Sequence, residues 1–344
     1  MVSKEYCCEP APRKPGAFSG YQGTMSSMPE LSVIIATFNR VERLRRCLGA
    51  LGDQSLARAD FEVIVIVDGA EDSTMDMLAS LEPSFRLRAV WQENRGQAVA
   101  LNRGIAEARG RFCLFLDDDI ILSPECLAEH LRLQQESGET VGIGQLTLAL
   151  PEDAGWYVRA FAEGWLRHYQ ALNKGNGRVT WEDCYGGNMS APRSALLECS
   201  GFDTSLRRGF DVELAYRLEQ RGCELRYLPS AIGCQDERKA FRDLSRDVEA
   251  AGAADFQMFA SKHGPRSSAL QSLASGHPVE VAIRRLLLAL RIPPRLLAAG
   301  GGLIPARRHQ YRYHRLIQNL CYWAGVRRAS RGTEMWSRIK RGRQ

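Results

Sequence analysis

The chain contains 344 residues, of which 44% are apolar and 25% are charged. This balance is ordinary for a folded protein, and it excludes a wholly disordered chain, a collagen-like fibre and a small disulfide-stapled module. The longest strictly apolar run near the C-terminus, residues 286–290, is far shorter than the roughly 20 residues that span a bilayer, and the N-terminus shows no secretory signal pattern. We therefore expect a cytoplasmic protein.

Charge is distributed unevenly along the chain. Residues 281–344 contain 15 Lys and Arg and one acid, Glu334, so this segment carries +14 and the first 280 residues sum to about −8. The split predicts an acidic body followed by a basic tail. Arg residues alternate with aliphatic and aromatic residues in the tail, which suits either a peripheral surface for anionic lipid or helices that pack on the body with a solvated Arg face. We expect no nucleic acid partner, because no motif supports one.

The ten cysteines are scattered, without a Cys-x-x-Cys pair or a framework spacing. Several of them, such as Cys113 in RFCLFLDD, fall inside apolar runs that are typical of buried strands. This distribution favours free thiols in a reducing compartment over metal ligands or disulfides.

After a leader without apolar periodicity, residues 1–29, strand and helix patterns alternate. Apolar, β-branched runs predict strands at 31–38, 61–67, 87–91 and 111–116. Helices are predicted at 41–52 and at 97–109, the second of which ends at Gly110. A short helix is predicted after Ser73 as its N-cap, and another begins at Ser123-Pro124. Four alternations predict a Rossmann-like α/β half over residues 30–136, with a mostly parallel sheet flanked by helices.

The patterns are more mixed in residues 137–265. The sequence predicts a strand at 141–150, an aromatic-rich helix at 153–172, a loop at 175–188 and a helical turn after Pro192. A helix at 211–222, a strand at 224–229 and an amphipathic helix at 240–262 follow. Residues 266–344 form the basic tail, in which we expect helices broken at Pro293-Pro294 and at Gly300–Gly302.

Polar residues follow three of the predicted parallel strands. The first strand ends at Thr37, Asn39 and Arg40, the second at Asp68, and the fourth at Asp117-Asp118-Asp119. Ligands of open parallel sheets bind beyond the carboxyl ends of the strands, so these side chains are candidate binding groups. In an extended chain Asp117 and Asp119 point to the same side, where their oxygens suit a hard divalent cation. An Asp-rich turn is the plainer alternative.

Arg95 lies in Asn94-Arg95-Gly96, directly before a predicted helix. Backbone N–H groups at a helix start, together with a guanidinium, suit a pyrophosphate. The alternative interpretation of Arg95 is an ordinary surface arginine.

Several sequence blocks together resemble the family 2 glycosyltransferases of the GT-A fold. They are SVIIATFNR, VIVDG, NRGQAVALNRGIAEARGRFCLFLDDD, GGNMSAPRSAL and GFDVELAYRLEQRG. They occur in the family's order and cover about residues 31–235. The resemblance implies a GT-A domain over residues 30–265, with a nucleotide-binding half (30–136) and an acceptor-binding half (137–265), and inverting sugar transfer from a nucleotide-sugar.

The resemblance also implies a role for each candidate residue. Nucleotide contacts fall on Thr37, Asn39, Arg40, Asp68, Arg95, Asp117 and Asp118. Gly187 and Asn188, in the loop Gly186-Gly187-Asn188, and Trp181 fall near the donor or acceptor sugar. Asp119, Asp117 and Gln235 fall at a Mn²⁺ or Mg²⁺ ion. Asp211 matches the general base that takes the proton of the acceptor hydroxyl, although a helix-capping Asp is the plainer interpretation of its position.

Two positions depart from the family pattern. Phe210 replaces the acid that usually precedes the base, and Gln235 stands where many relatives place a His near the metal. These departures keep open a second hypothesis, a catalytically silent scaffold that binds nucleotide-sugars. A nucleotidyltransferase would lack the Gly-Gly-Asn and Phe-Asp blocks. A UDP-sugar is the favoured donor, and the acceptor is a polysaccharide, a lipid-linked glycan or a protein.

Overall fold

The computed structural model describes residues 28–175, 179–237, 239–258, 282–283, 286–287, 290, 292, 294–304 and 307–330. The described chain divides into two compact units. The first unit comprises residues up to 149 together with 169–236, and the second comprises 150–168 together with residues from 237 onwards. Most of the predicted leader and much of the tail lie outside the described residues, so the predicted domain boundaries stay predictions.

The first unit begins with four parallel strands connected by helices. Strands β1, β2 and β4 are almost completely buried, as expected for continuous apolar runs in a sheet that is covered on both faces. Strand β1 pairs with both β2 and β4, and β3 pairs with β2 at one edge of the sheet. The strands are β1 (Leu31–Thr37), β2 (Phe61–Asp68), β3 (Arg86–Gln92) and β4 (Phe112–Leu116), and the helices are α1 (Val41–Gly52), α2 (Thr74–Ser80) and α3 (Gln97–Glu107).

Four further strands extend this sheet and make it mixed. They are β5 (Ile120–Leu122), β6 (Thr140–Ala149), β7 (Asn188–Pro192) and β8 (Glu224–Asp236). The order of the eight strands is β3-β2-β1-β4-β7-β6-β8-β5, and β7 runs antiparallel to both β4 and β6. The helices of this half are α4 (Cys126–Ser137), α5 (Trp156–Asn173), α6 (Arg193–Glu198) and α7 (Phe210–Gln220). This architecture confirms the predicted Rossmann-like α/β fold class.

Two strands were not predicted. The loop expected at 175–188 ends in β7, whose sequence NMSAP lacks the β-branched run that signals a strand, although all five residues are buried. Strand β5 has only three residues. Strand β8 continues seven residues past its predicted end at 229, because it pairs with β6 across an irregularity at Gly144/Gln145 and then with β5.

Two helix ends and one N-cap differ from those that the sequence predicts, and local contacts explain the differences. Helix α3 ends at Glu107 rather than at 109, and the N–H of Gly110 donates to the hydroxyl of Ser32 at 2.9 Å. A Cβ at Gly110 would lie 2.8 Å from the backbone nitrogen of Ser32, so a side chain does not fit there. Ser73 precedes α2 without a side-chain cap bond, and the N–H of Thr74 donates to the carboxylate of Asp72 instead. Helix α4 begins at Cys126, after Glu125 as its N-cap.

The second unit is built from helices. Helices α8 (Phe241–Met258), α9 (Pro294–Gly300) and α10 (Arg307–Ala329) form it together with residues 156–168 of α5. Glycines let α8 and α10 approach closely, since a Cβ at Gly252 would lie 2.1 Å from the carbonyl oxygen of Tyr322. Tyr157, Leu244 and Ile317 are buried in the shared core. Among the described helices, none has both the length and the apolar content that a bilayer span needs.

None of the described cysteines forms a disulfide bond, and most of them, including Cys113, are buried. Cys7 and Cys8 lie outside the described residues.

Candidate active site

Three consecutive acids follow β4 at the edge where the parallel strands β1, β2 and β4 end. Asp118 is buried, and its two oxygens accept a hydrogen bond from the hydroxyl of Thr37 at 2.7 Å and one from the guanidinium of Arg40 at 3.0 Å. Burial raises the pKa of Asp118, although Arg40 and Thr37 oppose that shift. The structure therefore brings the end of β1 and the end of β4 together, as the sequence predicted.

Asp119 is also buried and faces two guanidinium groups. It lies 3.2 Å from Arg43 Nη1 and 3.5 Å from Arg40 Nη1. Its other oxygen accepts a hydrogen bond from the amide of Gln235 at 3.2 Å. The pairing of β5 with β8 places Ile120 opposite Gln235 and so explains this contact between residues far apart in sequence.

The carboxylate of Asp117 accepts a hydrogen bond from the side-chain amide of Gln97 at 3.0 Å. Burial raises the pKa of Asp117 to about 7, and repulsion from Asp119, Asp118 and Asp211 adds to that shift. The loop at Gly187 passes close above this carboxylate. A Cβ at Gly187 would lie 2.9 Å from Asp117 Oδ2, which explains why glycine occupies this position.

Asp211 lies in the first turn of α7. Its carboxylate accepts hydrogen bonds from the N–H of Gly186 at 2.9 Å and from the N–H of Val212 at 3.0 Å. Burial raises its pKa, although these hydrogen bonds oppose the shift. Asp211 is close enough to Asp117 to raise the pKa of that residue. We call Asp117, Asp118, Asp119 and Asp211 the carboxylate edge.

Phe210, the departure from the family pattern, points away from this edge. Its side chain is buried and packs edge-to-face on Phe202 with ring centroids 5.6 Å apart, and Phe202 in turn contacts Phe115 of β4 at 4.8 Å. Phe210 thus belongs to the apolar core behind Asp211.

Asp68, at the end of β2, orders the loop that leads into α3. Its carboxylate accepts hydrogen bonds from the amide of Gln92 at 2.7 Å and from the backbone N–H groups of Arg95 at 3.0 Å and Gly96 at 2.9 Å. The side chain of Arg95 is exposed. Asn39 has a left-handed backbone with a φ of 53°, and its side chain accepts a hydrogen bond from the N–H of Glu71. The nucleotide roles of Asp68, Arg95 and Asn39 stay predictions.

The environment of Asn188 differs from that of Gly187, its neighbour in sequence. It is 1% exposed, its amide nitrogen donates to the carbonyl of Ala231 at 2.9 Å, and its Oδ1 lies 3.0 Å from His130 Nε2. Because Oδ1 can only accept, His130 Nε2 carries the proton, and His130 Nδ1 accepts from the hydroxyl of Ser190 at 2.8 Å. The side chain of Gln134 also donates to Ser190. We call His130, Gln134, Asn188 and Ser190 the buried polar network.

Burial lowers the pKa of His130 to about 4, so the network is neutral. Since every polar atom of Asn188 meets a protein group, its predicted contact with a sugar stays a prediction. Trp181 lies in a short 3₁₀ turn and packs edge-to-face on Tyr216 of α7, with ring centroids 5.6 Å apart.

Sequence reasoning missed three groups at the site. They are Arg43 on Asp119, Gln97 on Asp117, and the partners of Asn188 in the buried polar network, namely His130, Ser190 and Gln134. Spacing could have found Arg43, since residues three apart share a helix face and Arg40 was already a candidate. No sequence signal connects Gln97 with Asp117, which lies 20 residues away.

A divalent cation fits the donor set at the carboxylate edge. Asp117 and Asp119 offer carboxylate oxygens, and the side chain of Gln235, whose amide nitrogen donates to Asp119, carries a third candidate oxygen on the same amide group. Burial, and after it repulsion from Asp119, Asp118 and Asp211, raises the pKa of Asp117, and a bound cation would offset this repulsion. Within the described ranges no three His, Cys, Asp or Glu side chains form a metal cage. A cation held by one or two carboxylates and by ligand phosphates needs no such cage.

A model of the family "Glycosyl transferase family 2" matches residues 32–199. Residues 32–199, just under half of the chain, therefore resemble family 2 glycosyltransferases, and we call this range the family 2 domain. The matched range contains the strand ends of β1, β2 and β4 and the Gly187 loop, whereas Asp211 and Gln235 lie beyond it. The candidate roles of Asp211 and Gln235 therefore rest on the observed geometry and on the short motifs around them.

The family 2 domain is similar to curated and solved glycosyltransferases. Validoxylamine A glucosyltransferase of Streptomyces hygroscopicus subsp. jinggangensis is 30% identical over 230 residues, which are 58% of this chain and 54% of that protein. The chain thus spans about half the length of this relative. A mannosyltransferase of Pyrobaculum calidifontis, solved with GDP-Man and Mn²⁺, superposes with a TM-score of 0.57 at 18% identity, over 91% of this chain and 90% of that one.

A second solved structure, S. aureus TarS 1-349 in complex with UDP-GlcNAc, superposes with a TM-score of 0.52 at 14% identity. The superposition covers 88% of this chain and 92% of the TarS chain. At these identities the two structures establish a shared fold with the family 2 domain, and both contain a nucleotide-sugar.

Proposed function

We propose that this chain transfers a sugar from a nucleotide-sugar to an acceptor hydroxyl with inversion at the anomeric carbon. The observation that carries the proposal is the carboxylate edge, which places Asp211 near Asp117 at the ends of the parallel strands. Ligands of open α/β sheets bind at this kind of edge. The relatives and solved structures described above, several of which act on or bind nucleotide-sugars, support the same reaction class.

Asp211 is the proposed general base. The acceptor oxygen forms a bond to the anomeric carbon while the bond from that carbon to the nucleoside diphosphate breaks, and the acceptor proton moves to the carboxylate of Asp211. A raised pKa strengthens a carboxylate as a base, because proton affinity increases with pKa. The N–H groups of Gly186 and Val212 fix the orientation of that carboxylate.

The other residues of the edge bind and orient the donor in this proposal. Thr37, Arg40 and Asp118 form one connected group beside the expected nucleoside, and Asp68 holds the Arg95–Gly96 backbone at the start of α3. Mn²⁺ or Mg²⁺ would be held by Asp117 and Asp119 with Gln235, and when bound it neutralises charge on the departing diphosphate. Gly187 leaves the space above Asp117 free of a side chain.

Calorimetric titration of UDP, GDP and dTDP, each with Mn²⁺, Mg²⁺ or EDTA, tests the donor site. We expect one nucleotide to bind with a metal, and its identity names the donor class, for which a UDP-sugar is the favoured choice. Asp119→Ala should weaken this metal-dependent binding by at least about tenfold, or about 1.4 kcal/mol. Asp243→Ala, in the first turn of α8, is the control and should bind like the wild type.

Nucleotide binding with no product from a labelled donor would favour the silent scaffold. Equal affinity of Asp119→Ala and the wild type would remove the metal role of Asp119. The acceptor we propose is a hydroxyl of a polysaccharide, a lipid-linked glycan or a protein. We also propose that the reaction takes place in the cytoplasm, including the cytoplasmic face of the membrane.

A further inference from the structure

The second unit contains a cavity whose wall is strongly basic. Its volume is about 430 Å³, and its lining residues are Arg167, His309, Tyr311, Arg312 and Arg315. Arg167 comes from α5, and the others come from the first turns of α10. The cavity is therefore formed where two helices of one unit meet, and three guanidinium groups border the same space.

The position of Arg167 is fixed by its neighbours. Its guanidinium pairs with Glu163 at 2.5 Å and stacks over the ring of Tyr311, with 4.8 Å between the guanidinium carbon and the ring centroid. Tyr311 in turn packs over Gly164, where a Cβ would lie 3.2 Å from Tyr311 Cε2. A group held in this way loses little conformational freedom when it binds a ligand, which favours binding.

Arg312 and Arg315 differ from Arg167, whose charge is paired with that of Glu163. Both side chains are exposed, and no carboxylate of the described residues pairs with either of them. They lie three residues apart on one face of α10, where like charges repel. The helix itself contains six Arg and no acid, and two of the six, Arg307 and Arg308, occupy its first turn. Cations at the start of a helix are unfavourable, because the helix dipole is positive there.

We infer that this cavity binds the phosphate or diphosphate group of an organic ligand. A phosphate accepts paired hydrogen bonds from planar guanidinium groups and would offset the charge of Arg312 and Arg315, which no carboxylate of the described residues balances. A volume of about 430 Å³ exceeds what a bare phosphate fills and lies in the range of small-molecule sites, so the ligand extends beyond its phosphate. The inference goes beyond the proposed function, because all the lining residues belong to the second unit and none belongs to the carboxylate edge.

Calorimetric titration of the full chain with inorganic pyrophosphate in EDTA tests the site. EDTA removes the metal-dependent binding expected at the carboxylate edge, so the measurement is independent of the proposed donor site. We expect the wild type to bind and the double variant Arg312→Gln/Arg315→Gln to bind at least about tenfold more weakly. Arg312→Lys/Arg315→Lys keeps the positive charge but removes the planar guanidinium groups that donate paired hydrogen bonds, and it should give an intermediate affinity.

Arg242→Gln/Arg246→Gln is the matched control. These two arginines are exposed, lie four residues apart on α8 in the same unit and do not line the cavity, so the control removes the same charge. It should bind pyrophosphate within about twofold of the wild type. Equal losses in the two double variants would show a general charge effect and would overturn the inference, as would an absence of pyrophosphate binding by the wild type. Circular dichroism and metal-dependent nucleotide binding check that each variant is folded.

Vesicle sedimentation distinguishes the two sources of the phosphate. A lipid headgroup is the ligand if the wild type binds vesicles of phosphatidylglycerol and phosphatidylcholine but not vesicles of phosphatidylcholine alone. This binding must also be lost in Arg312→Gln/Arg315→Gln and kept in the control. Pyrophosphate binding that depends on Arg312 and Arg315, without vesicle binding, assigns a soluble phosphate ester. Vesicle binding without pyrophosphate binding would overturn the inference, because a charged surface would then explain it.

Discussion

Gly187 and Asn188 are adjacent in the chain, yet they belong to two unlike groups of polar residues. Gly187 passes above Asp117 at the carboxylate edge, where burial and repulsion from neighbouring carboxylates raise the pKa of Asp117. Asn188 enters the buried polar network, where its amide, the hydroxyl of Ser190 and both ring nitrogens of His130 meet neutral partners and His130 remains uncharged. Incompletely compensated charge indicates a site that awaits a ligand, whereas neutral pairing of this kind indicates a structural element. Changes at the edge should therefore affect the reaction, and changes in the network should affect stability.

The largest effect is expected for Asp211→Asn at the carboxylate edge. The amide cannot take the acceptor proton, so kcat should fall by about 10²–10⁴-fold, or about 3–5 kcal/mol. Nucleotide affinity should stay close to that of the wild type, whereas the urea midpoint should fall slightly, because the new amide can accept from only one of the N–H groups of Gly186 and Val212. Asp243→Asn makes the same replacement in the first turn of another helix and should leave kcat unchanged. Loss of nucleotide binding in Asp211→Asn would instead assign Asp211 to the donor site.

Asn188→Ala tests the network and should act on stability. It leaves the carbonyl of Ala231 and Nε2–H of His130 without partners in the core, which should lower the free energy of unfolding by about 3 kcal/mol. Asn173→Ala removes an Asn that contacts Tyr227 at a more exposed position and should cost about 1 kcal/mol. Urea unfolding measures both. Unchanged stability with weaker donor binding would favour the predicted sugar contact of Asn188.

The neutral state of His130 predicts a pH dependence of stability. Its pKa is about 4 in the folded chain, whereas an unfolded histidine titrates near 6.5. Between these values the unfolded chain binds a proton that the native chain does not. The contribution of His130 to the free energy of unfolding is therefore fully present above pH 6.5 and should fall by up to about 3 kcal/mol as the pH is lowered to 4.

His130→Gln isolates this contribution, because burial lowers the pKa of His314 in the second unit in the same direction. Urea unfolding between pH 4 and 7 should show a smaller pH dependence in His130→Gln than in the wild type. His309→Gln changes an exposed histidine and should keep the full dependence. Equal pH dependence in His130→Gln and the wild type would refute the neutral network.

The contrast between edge and network also explains which features the sequence could predict. Strands β1, β2 and β4 have continuous apolar runs, and each is followed directly by polar residues, so both the strands and their site residues are visible in sequence. Strand β7 and the network are not, because Ser190 and Asn188 are buried only by pairing with β4, β6 and α4. The same holds for Gln235, whose place beside Asp119 depends on the long extension of β8.

The smallest expected effect concerns Arg43, which sequence reasoning missed. Arg43 pairs with Asp119 at 3.2 Å and is partly exposed, so it competes with a cation for that carboxylate. Arg43→Gln should increase the apparent Mn²⁺ affinity two- to fivefold, or about 0.5–1 kcal/mol, which is the range of partly exposed ion pairs. Titration of Mn²⁺ at saturating nucleotide measures it. Arg46→Gln, which removes an Arg of the same helix paired with Asp236, is the matched control and should leave the affinity unchanged. A lower Mn²⁺ affinity in Arg43→Gln would mean that Arg43 supports the bound metal–nucleotide complex, and the carboxylate edge would then include its arginines as donor ligands.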